Sequence, residues 1–347
     1  MYVRKNLISV FLLPLILVLT PGISKADTTA PALACGQQAS TPNAVGTLIL
    51  AAQNQQLTST EWGIRQGCFK KYGLTIKTTS ITSSNIGIAG LISGSYDLTA
   101  TSPVNLIQAK INSGFAAKII APKHGYSAEE LARARQEPFF PGELLLQTAV
   151  IVRPGSNIKG WKDLDKKKIA VQTFQSADHA GLILGLRSEG IRSPKPELLS
   201  MPPSQMVDAL KRGDIDAAIM NDPFATQMVL DGGRIIGYPQ TFFTEPGSAV
   251  VFLSSAEISK EKAREMRLFR KATLEINALL NKPENEASFR KVVVDVTKVS
   301  AEVAAKTRMP LMMEKSVTIP EIAFIPNKLK KVGFLKGRFD LGPLLFN

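Results

Sequence analysis

The sequence predicts an α/β protein of two doubly wound lobes joined by a two-segment hinge. At roughly 100–200 residues per domain, a chain of 347 residues has room for two domains. Alternating strand and helix patterns occur twice, once after residue 44 and again from residue 167. One phrase also recurs at the same place in each run, as GSYDLTATSP at 94–103 and GDIDAAIMNDP at 213–223. Alternating strands and helices of this kind are typical of a mainly parallel sheet covered on both faces.

The first lobe is predicted over residues 45–148. VGTLILAAQ reads as a buried strand, residues 58–72 have helical periodicity, and LTIKTTSIT is a second strand. A helix over about 85–93 and a short strand over 97–100 complete the β-α-β-α-β order.

The second lobe is predicted over residues 149–246 and repeats this order. KKIAVQ, PELLSM and DAAIM read as strands, and residues 177–190 and 203–212 read as the helices between them.

The repeated phrase marks the third strand of each lobe. Gly94 and Gly213 each suit the left-handed position that ends a helix, and a strand and a polar loop follow. A glycine followed three residues later by aspartate is common between helix and strand, so the matched position carries the inference. Because ligands of open α/β sheets bind beyond the carboxyl ends of strands, two copies predict two binding edges facing one cleft.

Two extended segments are predicted to form the hinge. QTAVIVRPG at 147–155 leads into the second lobe, and GSAVVFLSS at 247–255 leads out of it. Residues 247–347 are then predicted to return to the first lobe and to continue as C-terminal helices, since KEKAREMRLFRKATLEINALLN has helical periodicity.

The N-terminus predicts export. Residues 1–26 combine basic MYVRK, an apolar run and Ser24-Lys25-Ala26, which are the three parts of a secretory signal peptide. Residues 27–44 are a polar leader. A retained membrane anchor is the alternative for the apolar run, and APALAC leaves lipidation of Cys35 as a further alternative. The mature protein is expected in a periplasm or at the outer face of the cytoplasmic membrane.

Charge and cysteine content fit an exported protein. The formal net charge is +13, and loss of Arg4, Lys5 and Lys25 with the signal peptide would reduce it to +10. The basic residues are scattered, so we expect a solvated basic surface and no nucleic-acid partner. Cys35 and Cys68 are the only cysteines, and an oxidising compartment favours a disulfide between them.

The predicted ligand-binding residues share one position, since each follows a strand's carboxyl end or begins a helix. Helix N-termini offer unpaired N–H groups, which suit an oxyanion or a carbonyl. The alternative is ordinary N-capping by serine and asparagine. The first-lobe residues are Gln53, Gln55, Ser83, Ser84, Asn85, Thr101 and Ser102, and the second-lobe residues are Phe174, Gln175, Ser176, Asn221 and Asp222.

Two side chains refine this site. Phe174 and Trp62 would add an aromatic wall, or else belong to the core. Asp222 would repel a purely anionic ligand, so a polar heterocycle or a solute with both a cationic and an anionic group fits better.

Catalysis, metal binding and cofactors find little support. The chain has two histidines, His124 and His179, and no cysteine is spaced to join either in a zinc site. No nucleophile elbow, phosphate-binding loop or dinucleotide fingerprint occurs. Asp214 and Asp216 flank a turn into a strand, which favours a structural role over a metal pair.

The second half of the chain carries a family resemblance. SNIKGWKDLDKKKIAVQTFQSADHAGLILGLRSEGI and PPSQMVDALKRGDIDAAIMNDPF, supported by CFKKYGL, NKPENEA and NKLKKVGFLKGRFDL, resemble periplasmic solute-binding proteins of ABC importers. The group resembled binds sulfonates, taurine, nitrate or thiamin-pyrimidine precursors. Over about residues 45–340 the resemblance implies the bilobed type II periplasmic-binding-protein fold. It also implies a monomer that delivers a small solute to an ABC permease in the membrane, without chemistry on that solute.

Departures from the family leave the solute open. Gln175-Ser176 stands where members often have Gly-Ser, and Asn221 stands where tryptophan precedes Asp-Pro. Residues 122–146 look like an insertion whose helix begins at Ser127 in a capping box. One rival function is an enzyme like the yeast thiamin-pyrimidine synthases, which share the fold but carry a cysteine cluster and iron chemistry. The other is a sensor for a receptor, which stimulation of a permease ATPase would distinguish.

Overall fold

A computed structural model describes residues 34–36, 44–137 and 143–346. The predicted signal peptide at 1–26 and most of the leader lie outside these described residues. Within the described ranges, no helix has the combined length and apolar content that crossing a bilayer requires.

The first run of elements alternates strand and helix, as predicted. Its strands are β1 (Gly46–Ala52), β2 (Leu74–Ser80), β3 (Leu98–Thr101) and β4 (Ala117–Tyr126). Its helices are α1 (Asn54–Arg65), α2 (Ser84–Ser93), α3 (Pro103–Ser113) and α4 (Ala128–Gln136). β1 pairs in parallel with both β2 and β3.

The second run repeats the pattern around a new sheet. Its strands are β5 (Thr148–Val152), β6 (Lys168–Val171), β7 (Glu197–Ser200), β8 (Ala217–Asn221) and β9 (Arg234–Gly237). Its helices are α5 (Ala177–Ser188), α6 (Pro203–Arg212), α7 (Phe224–Leu230) and α8 (Gln240–Phe243).

The remaining chain returns to the first sheet and is mostly helical. It contributes the strands β10 (Gly247–Ser255) and β11 (Leu311–Met312). The helices are α9 (Ala256–Glu261), α10 (Ala263–Leu280), α11 (Glu286–Thr297), α12 (Ala301–Lys306), α13 (Ile319–Ile322) and α14 (Ile325–Val332).

Apart from the edge strand β11 of the first sheet, the two sheets have the same topology. The first has the order β2-β1-β3-β10-β4-β11, and the second has the order β7-β6-β8-β5-β9. In each sheet the strand that arrives from the other sheet, β10 or β5, lies antiparallel between the third and fourth strands. The chain therefore passes between the sheets twice, which confirms the doubly wound fold with two connecting segments. The predicted hinge segments 147–155 and 247–255 run mainly as these inserted strands, and the residue boundaries of the lobes remain predictions.

The repeated phrase holds the third strand of each sheet to the first. Asp97 Oδ2 accepts a hydrogen bond from Ile49 N at 2.8 Å, and Asp97 N donates to Ile49 O at 2.9 Å. Asp216 makes the same pair of contacts with Lys168, at 2.9 and 2.8 Å. Both aspartates therefore have structural roles, as predicted for Asp216.

The main core packs between the first sheet and α1, α10 and α11. Phe269 stacks on Phe69 at 5.5 Å between ring centroids and meets Phe252 edge-on at 5.1 Å. Trp62 is completely buried in this core, and its Nε1 donates to Ser288 Oγ at 2.8 Å. Trp62 is therefore a core residue and not an aromatic wall of a cleft.

The predicted disulfide between Cys35 and Cys68 is confirmed, with an S–S distance of 1.96 Å. Both cysteines are buried, and Ala34 N also donates to Gln66 Oε1 at 2.9 Å. Cys68 follows the C-terminal end of α1, whereas Gln53 precedes its N-terminal end. The bridge therefore attaches the leader at the end of α1 that points away from Gln53.

The segment predicted as an insertion begins inside the sheet. Residues 122–126 form the last part of β4, and the insertion over 122–146 remains a prediction. The capping box is confirmed, since Glu130 N donates to Ser127 Oγ at 3.0 Å and Ser127 N donates to Glu130 Oε2 at 2.8 Å.

Candidate functional site

A cavity opens between the two sheets at the carboxyl ends of their strands. It holds about 810 Å³ of space free of protein atoms, part of it open to solvent. We refer to this cavity as the cleft. Both sheets and their helices line it, together with α8 and the start of α14.

The structure brings half of the predicted binding residues to the cleft. These are Gln53, Ser84, Thr101, Ser102, Ser176 and Asn221. Gln55 and Asp222 line a neighbouring cavity, whereas Ser83, Asn85, Phe174 and Gln175 line neither of the two. Phe174 is half-exposed, so the suggested aromatic wall is absent from the described lining. Ligand binding by any of these residues remains a prediction.

Ser84 offers a hydroxyl proton to the cleft from the start of α2. Its Oγ accepts a hydrogen bond from Thr101 Oγ1 at 2.9 Å, and Asn105 Nδ2 donates to Thr101 Oγ1 at 2.6 Å. This chain of donors ends at Ser84, whose own proton has no acceptor among the described residues. The N-terminus of α2 has no side-chain cap, so N-capping does not explain the serines there.

Ser102 and Ser176 combine capping with the same donor capacity. Ser102 Oγ accepts from Val104 N, and Ser176 Oγ accepts from His179 N, each at 3.3 Å. Because each oxygen serves as the acceptor in its cap, each hydroxyl proton is available to a ligand. Three hydroxyl donors at helix starts therefore face the cleft, which suits a carbonyl or oxyanion group.

Amide oxygens provide acceptors in the same cleft. An ionised carboxylate can only accept, so the Gln240 side chain turns its Nε2 towards Asp178 and donates to Oδ1 at 2.7 Å. Gln240 Oε1 is then left free. Asn221 Nδ2 donates to Thr148 Oγ1 at 2.6 Å, which leaves Asn221 Oδ1 free. Both oxygens are buried and lack a partner.

Three further buried atoms of the cleft lack partners, namely Gln56 Oε1, His124 Nδ1 and Thr173 Oγ1. Of the ten buried side-chain polar atoms without a partner in the described residues, five therefore line this one cavity. Each such atom costs about 1–3 kcal/mol, a cost that a polar ligand would remove. The cleft is therefore suited to a small solute that has N–H donors as well as an acceptor group.

Several cleft residues were missed by the sequence reading. His124 and Tyr126 lie at the end of β4, and burial raises the pKa of the Tyr126 phenol. Neither β4 nor α8 was predicted from the sequence, so nothing indicated that their polar residues lie near a ligand. Asp178 lies in the first turn of α5, two residues after the predicted Ser176, and that position could have revealed it.

Asp178 brings a destabilised carboxylate to the cleft. Burial raises its pKa to about 6, and the hydrogen bond from Gln240 only partly opposes this shift. An acid whose pKa is higher in the folded state loses stability as pH rises from the unfolded pKa of 3.8 through about 6. A cationic or N–H-bearing solute would compensate this carboxylate.

We therefore expect Asp178→Asn to stabilise the ligand-free protein at pH 7 by about 1–2 kcal/mol, a value discounted for partial solvent exposure. The gain should shrink as pH falls below 6 and vanish near pH 4. Urea denaturation of both proteins between pH 4 and 7 measures this difference. A gain that does not depend on pH would contradict the assignment.

His179 is occupied by a structural contact. Gln175, which has a left-handed backbone with φ of 57°, donates its N–H to His179 Nδ1 at 3.0 Å. Burial lowers the pKa of His179 to about 4, so the ring is a neutral acceptor. Over the described ranges, no three His, Cys, Asp or Glu side chains are grouped as metal ligands would be. Both cysteines are in the disulfide, so they offer no thiol to the cleft.

Solved structures similar to this one include periplasmic binding proteins. The alkanesulfonate-binding protein SsuA from Xanthomonas axonopodis pv. citri, bound to MOPS, matches with a TM-score of 0.67 and 17% identity over 89% of this chain and 99% of that one. The periplasmic aliphatic sulphonate binding protein SsuA from Escherichia coli matches with a TM-score of 0.62 and 18% identity, over 83% and 91%. The periplasmic nitrate-binding protein NrtA from Synechocystis PCC 6803 matches with a TM-score of 0.63 and 16% identity, over 83% and 82%. The chain thus has the fold of the solute-binding proteins of ABC importers.

The sequence belongs to the NMT1-like family, whose profile matches residues 36–294. The matched range covers the first sheet's parallel strands, the whole second sheet and most of α11. No curated protein sequence matches this one significantly. The resemblance to periplasmic solute-binding proteins drawn from the sequence is therefore confirmed at the level of family and fold.

Proposed function

We propose that the protein is an exported solute-binding component of an ABC importer and performs no chemistry on its solute. It captures a small polar organic solute in the cleft and delivers it to a membrane permease. The observation that carries this proposal is the set of five buried, unpartnered polar atoms around one cavity between two sheets. The similar periplasmic binding proteins and the predicted signal peptide support export.

Closure around the solute follows from contacts between the two halves. Gln55 Nε2 donates to Gln172 Oε1 at 3.3 Å, directly joining α1 to the loop after β6. Lys328 Nζ in α14 donates to Phe242 O in α8 at 2.8 Å. A solute that touches both halves favours this closed arrangement by its additional contacts there.

Ser84→Ala and Ser176→Ala test the proposal. Each removes one hydroxyl donor from a desolvated site, so each should weaken binding by about 1–3 kcal/mol, or roughly 5- to 150-fold. Isothermal titration calorimetry with a solute found by thermal-shift screening measures the change. Each variant should also lower the stability of the ligand-free protein by about 1 kcal/mol or more, because Ser84→Ala leaves the Thr101 hydroxyl without its acceptor and Ser176→Ala removes a cap.

Ser300→Ala is the matched control. Ser300 caps α12 by accepting from Val303 N at 3.1 Å, and it does not line the cleft. It should lower stability by about 1 kcal/mol and leave affinity unchanged. Unchanged affinity in both cleft variants would refute hydroxyl recognition at these helix starts.

A further inference from the structure

A second cavity lies beside the cleft, between α1, β4, α11 and the residues after α12. It holds about 520 Å³ of space free of protein atoms, and we refer to it as the second compartment. Gln56, His124 and Asn221 line both cavities, and each contributes an unpartnered polar atom. The cleft and the second compartment thus share side chains that have free hydrogen-bonding capacity.

Lys123 supplies the second compartment with an uncompensated charge. Its side chain is only 2% exposed and lines this compartment. Within the described part of the chain, its amine makes no hydrogen bond and no ion pair. Burial alone lowers its pKa to about 7, so an anion placed beside it would favour the protonated form.

The other charged residues of the second compartment already have partners. Asp222 is the acidic residue in its lining, and it accepts from Thr226 N, Thr226 Oγ1 and Arg308 N at 3.1, 2.7 and 3.0 Å. Arg290 donates to Glu286 at 2.8 Å, and Arg308 also pairs with Glu130. Lys123 is therefore the charged group here that still needs a counter-ion.

The backbone directs Lys123 to this position. Val250 pairs with His124 and Val251 pairs with Pro122, so Lys123 is the extra residue of a β-bulge in β4. Its carbonyl accepts from Met313 N at 3.1 Å and from Asn277 Nδ2 at 3.2 Å. Bulges are frequent beside functional sites because they redirect one side chain.

We propose that the second compartment binds the acidic group of the captured solute, a carboxylate or a similar oxyanion, through the Lys123 ammonium. The N–H-bearing part of the solute then lies in the cleft against the amide oxygens of Gln56, Asn221 and Gln240. The solute class is an elongated molecule with N–H donors at one end and an acid at the other. This inference rests on the proposed function, and it reassigns Asp222 from solute recognition to anchoring the backbone of Arg308.

Lys123→Met is the test, because methionine preserves the apolar volume and removes the charge. The probes are amino acids with terminal amine and carboxylate, from β-alanine to 6-aminohexanoate, a panel of amino-substituted aromatic acids, and the corresponding amides. Inorganic phosphate and sulfate test for a free anion against sodium chloride of equal ionic strength. Lys123→Gln is the second variant, and Lys77→Met, an exposed lysine on β2, is the control.

We expect at least one acid to raise the parent's melting temperature and to bind Lys123→Met and Lys123→Gln at least tenfold more weakly. Lys77→Met should bind that acid like the parent, and the corresponding amide should bind parent and Lys123→Met equally. Equal binding of the acids by parent and Lys123 variants would overturn the proposal and leave solute capture intact. A Lys123-dependent shift with phosphate or sulfate only would assign the compartment to a free anion and also overturn it. If no probe, acid or amide, shifts the parent, the proposed solute class is wrong, whereas the serine variants test capture separately.

Discussion

Replacing Cys35 and Cys68 together with alanine is expected to lower the free energy of unfolding by about 3–4 kcal/mol. The bridge closes a loop with a sequence separation of 33 residues, and the chain-entropy relation gives that magnitude for the unfolded state. Beside the bridge, Ala34 N donates a hydrogen bond to Gln66 Oε1 at 2.9 Å. Urea denaturation of the oxidised parent and the double variant measures the difference.

A matched control separates the bridge from the hydrogen bond beside it. Gln66→Ala removes the acceptor of Ala34 N and keeps the disulfide, so it should cost about 1 kcal/mol. Reducing the parent protein should reproduce most of the loss seen in the double variant. A loss below about 1 kcal/mol in the double variant would show that the bridge constrains an already compact leader.

Asp97→Ala is expected to destabilise the protein by about 2–4 kcal/mol. Asp97 is only 6% exposed, and its carboxylate accepts from Ile49 N at 2.8 Å and from Lys262 Nζ at 2.6 Å. Its removal leaves a partly buried N–H unpaired and a lysine without its counter-ion, and both effects are costly. Chemical denaturation gives the value directly.

The repeat supplies the control for this prediction. Asp216 makes the equivalent contact with Lys168 N at 2.9 Å, but at a more exposed position and with no ion pair in the described part of the chain. Asp216→Ala should therefore cost only about 1 kcal/mol. Equal losses for the two variants would mean that the ion pair with Lys262 contributes nothing.

The sequence was sufficient to predict the fold because its signals were local and repeated. Gly94 and Gly213 take the left-handed conformation that ends a helix, and strand and helix patterns recur at matched spacing. The inserted strands β5 and β10 could be recognised as extended, but their antiparallel place inside the sheets depends on long-range pairing. No local pattern specifies such a pairing.

The candidate site was only partly predictable. Residues at a strand end or a helix start, such as Asn221, Ser84 and Ser176, were found because position alone brings them to the cleft. Asn85 and Gln175 satisfy the same rule, yet both are exposed and neither lines the cleft. The direction of a side chain at a helix start depends on the local backbone, which composition does not reveal.

Lys123 lines the second compartment but was not predicted as a binding residue. The sequence gives no reason to expect a buried lysine at the end of an apolar stretch, because the β-bulge that places it arises from pairing with Val250 and Val251. Asp222 was predicted to be a ligand-facing carboxylate. In the structure, however, Thr226 donates hydrogen bonds to its Oδ1 and Arg308 N donates to its Oδ2.

The most direct test of solute capture between the two sheets is a thermal-shift screen of small polar solutes against the parent and Ala177→Trp. Ala177 is the first residue of α5 and lines the cleft, so tryptophan there should fill it, and Ala301→Trp at the exposed start of α12 is the control. A solute at 100 times its dissociation constant should stabilise the parent and Ala301→Trp by about 2.7 kcal/mol and leave Ala177→Trp unaffected. A solute that stabilises Ala177→Trp as strongly as the parent, or no stabilising solute at all, would contradict capture in the cleft.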